Sequence, residues 1–271
     1  MKIAAITITY NDDYKFEEWY QHYSEYKQDL FLHIIVDNNS EKKYLSKVED
    51  KFTDSIIIKR ESNSGCTKAY NDGIRYAMNN SEVDAIMLVG NDVRLLGGGI
   101  AQLYAFLYSK VEYGMVAPII LKKDSTVVED FGCEVSKYNY MKPYDLGKDI
   151  SEIKIKNRNV ASVTGGINLA KRMFYEKVGL QDEKLFMYSD EIDMAIRAEE
   201  TGLKMAVTSE VKAWHQHINF SGNIRSYSVY FLINRNKVYL ARKHFGKLKA
   251  IKIFFYQVVK AFFGFKRGVN K

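Results

Sequence analysis

Cysteine is almost missing from this chain: Cys66 and Cys133 are the only two in 271 residues, and they form no CxxC pair or other ligand spacing. That excludes a disulfide framework and a structural zinc site, and it suits a reducing compartment. Also missing is any run of 18 or more apolar residues, so no membrane-spanning helix is expected. The opening MKIAAITITYN lacks the basic start, long apolar run and cleavage site of a secretory leader. It reads as a buried strand, and a cytoplasmic location is expected. No internal repeat or low-complexity linker interrupts the chain.

Net charge is missing from most of the sequence as well. The formal charge is +7, but His244 to Lys271 holds seven basic residues and no Asp or Glu, and without those seven the chain has 33 basic residues against 33 acidic. The basicity is therefore a property of the tail, and a nucleic-acid-binding groove is disfavoured.

What is present is a hydrophobic content of 46%, enough for a sizeable core, arranged in a regular rhythm. Apolar, β-branched runs at 3–9, 31–36, 55–59 and 85–89 alternate with helical spacings at 16–27, 67–78 and 100–109. Such alternation predicts an α/β fold with a doubly wound, mostly parallel sheet flanked by helices, its ligands beyond the carboxyl ends of the strands. Residues 119–160 lose the rhythm and are expected to form hairpins and loops. A second organised block follows, with a Gly165-Gly166 turn, helices near 171–178 and 190–201, a Gly202 stop, and a strand at 204–208 leading to WHQH.

Five groups of residues sit where chemistry is expected. Thr9, Tyr10, Asn11 and Asp37 follow the first two strands, where a carboxylate can accept hydrogen bonds from a pyrimidine edge or a ribose hydroxyl; Asp37 in a plain Asx turn is the competing reading. NSGCTKAYNDGI, with Asn63, Gly65 and Asn71, opens a helix whose free N–H groups can face an anion or need only a cap. VGNDV places Asn91 and Asp92 at a strand end, where one carboxylate can hold a hard divalent cation beside phosphates, or simply form a turn.

SDEIDMAIR sets Asp190, Glu191 and Asp193 at a helix start. The helix dipole and an i,i+4 pair with Arg197 explain Asp193, but adjacent carboxylates at 190 and 191 repel, which raises a pKa and suits a general base. His215 and His217 alternate on a strand and can share a face toward metal or diphosphate, or lie on the surface.

In order along residues 3–243, ITITYN, IIVDNNS, NSGCTKAYNDGI, TGGINLAKRMFYEKVGL, LFMYSDEIDMAIRAEETGL, WHQH and FLINRNKVYLARK resemble the inverting family 2 glycosyltransferases of GT-A fold, in particular their rhamnosyltransferase-like branch. The resemblance implies a catalytic domain at 1–243, with a nucleotide-sugar-binding half at 1–115 and an acceptor-binding half at 116–243. It implies that Asp37 contacts the nucleoside and that Asp92 carries Mg2+ or Mn2+ with help from His215 or His217. Glu191 is then the base, with Asp190 the runner-up, and Gly165 and Gly166 let the backbone come close to substrate. Relatives usually show more acid, or a proline, before the metal-site aspartate and read Glu-Asp in the base motif, where this chain has Asn91-Asp92 and Asp190-Glu191. The implied donor is a UDP- or dTDP-linked sugar. The implied acceptor is a saccharide or lipid-linked saccharide in bacterial surface polysaccharide synthesis.

A helical wheel over 248–263 gathers Leu248, Ile251, Phe254, Phe255, Val258, Val259, Phe262 and Phe263 on one face, opposite Lys249, Lys252, Tyr256, Gln257 and Lys260, with Ile253 out of place. The tail at 244–271 thus reads as a basic amphipathic helix for the cytoplasmic face of the inner membrane, against packing on the domain or a dimer. Two other functions compete with the enzyme. A degenerate nucleotide-sugar or glycan-binding assembly protein would bind without turnover, and a sugar nucleotidyltransferase would need a Gly-rich phosphate loop that TITYNDD does not offer.

Overall fold

The computed structural model describes residues 1–97, 99–135, 141–163, 165–216 and 227–268. Its first half runs β1 (Ile3–Thr9), α1 (Phe16–Tyr26), β2 (Leu32–Asp37), α2 (Lys42–Lys51), β3 (Ile56–Lys59), α3 (Cys66–Met78), β4 (Ala85–Val89), β5 (Val93–Leu96) and α4 (Gly99–Tyr108). The second continues with β6 (Tyr113–Lys122), β7 (Val128–Asp130), β8 (Cys133–Val135), β9 (Met141–Pro143), β10 (Arg158–Val160), β11 (Ile167–Lys171), α5 (Arg172–Val178), α6 (Asp190–Glu200), β12 (Lys204–His215), α7 (Tyr227–Phe245) and α8 (Lys247–Gly268).

The central sheet has the order β10-β12-β6-β11-β4-β1-β2-β3, with β5 and β7 attached to β12 and β6. The expected parallel arrangement holds from β4 through β1 and β2 to β3, while β11 enters antiparallel between β4 and β6. All five residues of β4 are buried, which is why its sequence AIMLV is apolar without alternation. One core lies between the sheet and Phe16, Trp19, Phe52, Ile100 and Leu103, and the other between the sheet and Ala69, Ile74, Phe174 and Met194. These are the two faces of a three-layer α/β/α domain. Gly73 lets α3 approach closely, since a Cβ there would meet Ile6 Cγ2 at 2.5 Å.

Helix α2 was not expected from the rhythm. It anchors on only two buried side chains, Tyr44 and Val48, one turn apart in an otherwise charged stretch. Strand β12 runs further than 204–208 and carries Trp214 and His215 as ladder residues beside β5 and β6. Helix α8 rests on α7 through Ala250 and Ile253 against Val238 and Ala241. Ile253, the residue out of place on the wheel, is therefore the one that packs. Leu248, Ile251, Phe254, Phe255, Val258 and Val259 stay 46–78% exposed; the side chains of Phe262 and Phe263 lie outside the described ones. Among the described residues no helix is long and apolar enough to cross a membrane.

Candidate active site

The carboxyl ends of β1, β2 and β4 lie side by side, because Thr9 pairs with Asp37 in the ladder and β1 pairs with β4. Asp37 accepts the Ser40 N–H at 3.0 Å through one oxygen, and its other oxygen is buried with no partner. Asn38 donates to Asn63 at 2.9 Å and likewise keeps its carbonyl oxygen buried and unpartnered. Unsatisfied buried acceptors are costly, and two of them lie at this sheet edge. Asn11 shapes the neighbouring turn at φ 52°, with its side-chain oxygen accepting the Glu41 N–H at 2.8 Å, while Tyr10 is exposed.

Asp92 is the hub of a charged knot. One of its oxygens lies 3.4 Å from Lys15 Nζ and the other 3.5 Å from His215 Nε2. Lys15 also reaches Asp12 at 3.4 Å, and Asp12 accepts from Asn91 Nδ2 at 2.7 Å and from Thr9 Oγ1 at 3.2 Å. On its far side His215 meets Glu129 Oε1 through Nδ1 at 2.8 Å. Burial alone would push the Asp92 carboxyl up, but His215 and Lys15 outweigh it and hold it at about 2. For His215, burial is likewise outweighed by Asp92 and Glu129, which raise it to about 9.

The second pole is Asp190 with Glu191 at the start of α6. Burial and the neighbouring Glu191 charge push the Asp190 carboxyl well above its ordinary value. Burial also raises Glu191, with Asp130 adding to it, against hydrogen bonds from its own N–H, from Asp190 and from the Gly165 N–H. Buried and adjacent, the two carboxyls titrate as a pair, and burial favours the form of the pair that keeps a proton. The two carboxyls line a cavity of about 30 Å³ with Tyr70, Asn168, Tyr175 and Gln181. Gly165 stands against Glu191, because a Cβ there would lie 3.0 Å from Oε1.

Three non-glycine residues with left-handed backbone precede α6: Phe186, Tyr188 and Ser189, at φ 65°, 69° and 66°. Each such residue costs about 1–3 kcal/mol and persists only where its surroundings impose it. One of the imposing contacts is with Gly65, at φ 88°: a Cβ there would collide with the Phe186 carbonyl, which accepts the Thr67 N–H at 3.3 Å.

The structure thus brings Thr9, Asp37, Asn63, Asn91 and Asp92 to one strand edge, and Gly165, Asp190 and Glu191 to the facing pole. Gly166 links the two, its carbonyl accepting the Gly90 N–H at 2.9 Å. Asn71 is not brought to this edge: its amide donates to Gln181 and Glu183 and accepts from Gln181, tying α3 to the 181–183 turn. His217 lies outside the described residues. Asp12, Lys15 and Glu129 escaped sequence reasoning. Asp12 and Lys15 had one signal, their place in the turn that leaves β1. Burial pushes both thiols up to about 12.

Asp130 offers a measurable property of the site wall. Burial raises its carboxyl to about 7 from an ordinary 3.8, against the Gly132 N–H that it accepts. A raised carboxyl is bound to its proton more tightly in the folded chain. Its stabilising contribution is complete below 3.8 and is lost as pH rises through about 7. Asp130→Asn is expected to flatten this fall, raising stability at pH 8 by a few kcal/mol relative to the parent while changing little at pH 4. Urea unfolding at the two pH values checks it, and an equal effect at both would refute the assignment.

Comparison with known proteins adds the following. The family model described as "Glycosyl transferase family 2" matches residues 5–179. The chain is similar to the low-salt glycan biosynthesis hexosyltransferase Agl10 of Haloferax volcanii, with 22% identity over 218 residues, covering 79% of this chain and 68% of that protein. It is similar to the dTDP-rhamnosyl transferase RfbF of Shigella flexneri, with 22% identity over 213 residues and the same two coverages. Among solved structures, its fold matches that of GalNAc-T7 with UDP, GalNAc and Mn2+ at a TM-score of 0.67 and 14% identity. That match covers 89% of this chain and 48% of the other, so this chain spans about half of it.

Proposed function

The chain belongs to glycosyl transferase family 2, and from that premise we propose that it transfers a sugar, with inversion, from a nucleoside-diphosphate donor to a saccharide acceptor. The observation that carries the reading is the pairing of two poles: a strand edge with unsatisfied acceptors next to a charged knot, and a pair of adjacent carboxyls lining the cavity beside Gly165. Asp37 and Asn38 receive the donors of a nucleoside, and Asn63 and Gly65 border the same edge. Glu191 removes the proton from the attacking hydroxyl, and Asp190 beside it keeps it oriented. Attack at the anomeric carbon from the side opposite the diphosphate gives inversion.

The charge that develops on the departing diphosphate falls beside Lys15 and His215, both cationic groups fixed in place before the reaction. Asp92 and His215 also fit a divalent ion. Asp92 would supply one carboxylate to Mg2+ or Mn2+, and His215, its Nε2 3.5 Å away, would join only as the neutral imidazole, releasing its proton on binding, with phosphate oxygens and water completing the set. When bound, such an ion draws off negative charge from the leaving group. Among the described residues no cluster of three metal-binding side chains occurs. The dTDP-rhamnose and UDP linkages named for similar proteins guide the choice of donor. The test is release of nucleoside diphosphate from a panel of UDP-, dTDP- and GDP-sugars, with and without Mn2+. Release from one donor supports the transferase, whereas binding of a donor with no release, even with lipid-linked saccharides added, favours a glycan-binding assembly protein.

The tail points to where the acceptor is met. Six exposed apolar residues of α8 beside Lys247, Lys249, Lys252 and Lys260, with no acidic residue among them, match an anionic lipid surface. We assign the chain to the cytoplasmic face of the inner membrane, working on a lipid-linked acceptor in surface polysaccharide synthesis. Flotation with phosphatidylglycerol vesicles is expected for the full chain and not for one lacking 247–271. Equal flotation of both would reject the assignment.

A further inference from the structure

Helix α7 carries a side chain that the chemistry above does not use. Asn236 is fully buried, and its amide nitrogen lies 3.1 Å from the Leu185 carbonyl, 2.9 Å from that of Met187 and 2.7 Å from that of Tyr188. Its own oxygen is held by Arg235, through Nε at 2.9 Å and Nη2 at 2.6 Å. The same guanidinium donates to the carbonyls of Lys184 and Leu185 at 2.9 and 2.7 Å. These carbonyls belong to the turn that passes through the left-handed residues Phe186, Tyr188 and Ser189 and delivers the chain into α6 at Asp190.

We propose that Asn236, clamped by Arg235, is the positioning residue for the carboxyl pair: it fixes the strained turn from one side, as the Thr67 N–H fixes the Phe186 carbonyl from the other. Three acceptors around one NH2 group give it no slack. A left-handed turn without glycine has few ways to relax except into ordinary backbone, which would rotate the start of α6. The Ser189 hydroxyl accepts no capping hydrogen bond from the first turn of α6, so that turn depends on contacts from elsewhere. The rest of α7 grips the same segment: Tyr239 and Lys243 donate to Asp182 at 2.8 and 2.7 Å, and Lys243 donates to Asp193 at 2.6 Å. The catalytic consequence rests on the reading of Glu191 as the base; the geometric one does not.

The test compares Asn236→Leu with Leu107→Ala, a core change in α4 that destabilises without touching the turn. By hydrogen exchange, Asn236→Leu is expected to lose protection about tenfold or more at 185–193 while β1 and β4 keep theirs, and Leu107→Ala is not expected to. In the donor-release assay, Asn236→Leu should lower kcat about 100-fold with donor KM within about threefold, because the nucleotide edge is untouched. Should Asn236→Leu not fold, Arg235→Met, which removes the clamp on Asn236 and the guanidinium's own bonds to the Lys184 and Leu185 carbonyls, is expected to show the same local loss of protection and about a tenfold lower kcat. Unchanged exchange at 185–193, or a kcat within threefold of the parent, would overturn the proposal. Glu191→Gln in the same assay separates the two ideas. If Glu191→Gln is fully active, the base assignment fails; if it is inactive while Asn236→Leu keeps its kcat, only the positioning role fails.

Discussion

Glu191→Gln is expected to lower glycosyl transfer by about 10³-fold while leaving donor affinity within a few-fold of the parent. The amide preserves shape and can still accept a hydrogen bond from Asp190, but it takes no proton from an acceptor hydroxyl. A second effect accompanies the first. Because burial raises the Glu191 carboxyl above its ordinary 4.5, the parent should lose activity on acidification at a pH above 4.5, as the base becomes protonated. The residual rate of the variant should lack that acid limb. A pH profile of kcat for both proteins, with donor affinity measured by calorimetry, decides it; an unaltered acid limb in the variant would move the role to another carboxyl. Asp190→Asn should cost less, since an amide can still donate to Glu191.

The second large effect is expected at the knot. Asp92→Ala should slow nucleoside diphosphate release by about 10²–10³-fold, the usual loss when one preorganised group facing a developing charge is removed. The loss has two parts. Without the carboxylate, Lys15 and His215 face each other as like charges, and burial pulls the imidazole toward its neutral form. A divalent ion also loses its one carboxylate ligand in the knot, so stimulation by Mn2+ should disappear with the basal rate. Titrating release against Mn2+ separates this from unfolding. A variant that keeps both its rate and its Mn2+ response would show that the diphosphate sits elsewhere.

Much of this site could be anticipated from local sequence. Thr9 and Asp37 each end a buried strand and Asp92 lies in the turn that leaves another, and parallel strands align their carboxyl ends, so periodicity collects them at one edge. Asp190 and Glu191 announce themselves by adjacency. Other partners are matters of distance in space. Glu129 stands 86 residues from His215, and no spacing rule connects them. Lys15 resembled any surface lysine until α1 carried it over Asp92. Asn236 was part of a recognised segment, yet its task is set by the backbone of a turn 48 to 51 residues earlier. The α2 helix was hidden for a different reason, since two buried anchors in a charged stretch leave little amphipathic signal. Ile253 spoiled the wheel because the face of α8 that packs on α7 is not its broad apolar face.

The insertion of β11 between β4 and β6 bears on how this chain can be taken apart. A fragment ending at residue 115 would contain the nucleotide edge but leave β4, all five of its residues buried, with a bare row of amides and carbonyls where β11 belongs. The N-terminal and C-terminal parts are woven into one sheet, so splicing such pieces from different relatives would have to rebuild the β4–β11 and β11–β6 ladders. Recombination would have to proceed loop by loop, with the Gly65 and Phe186 contact carried over as a unit.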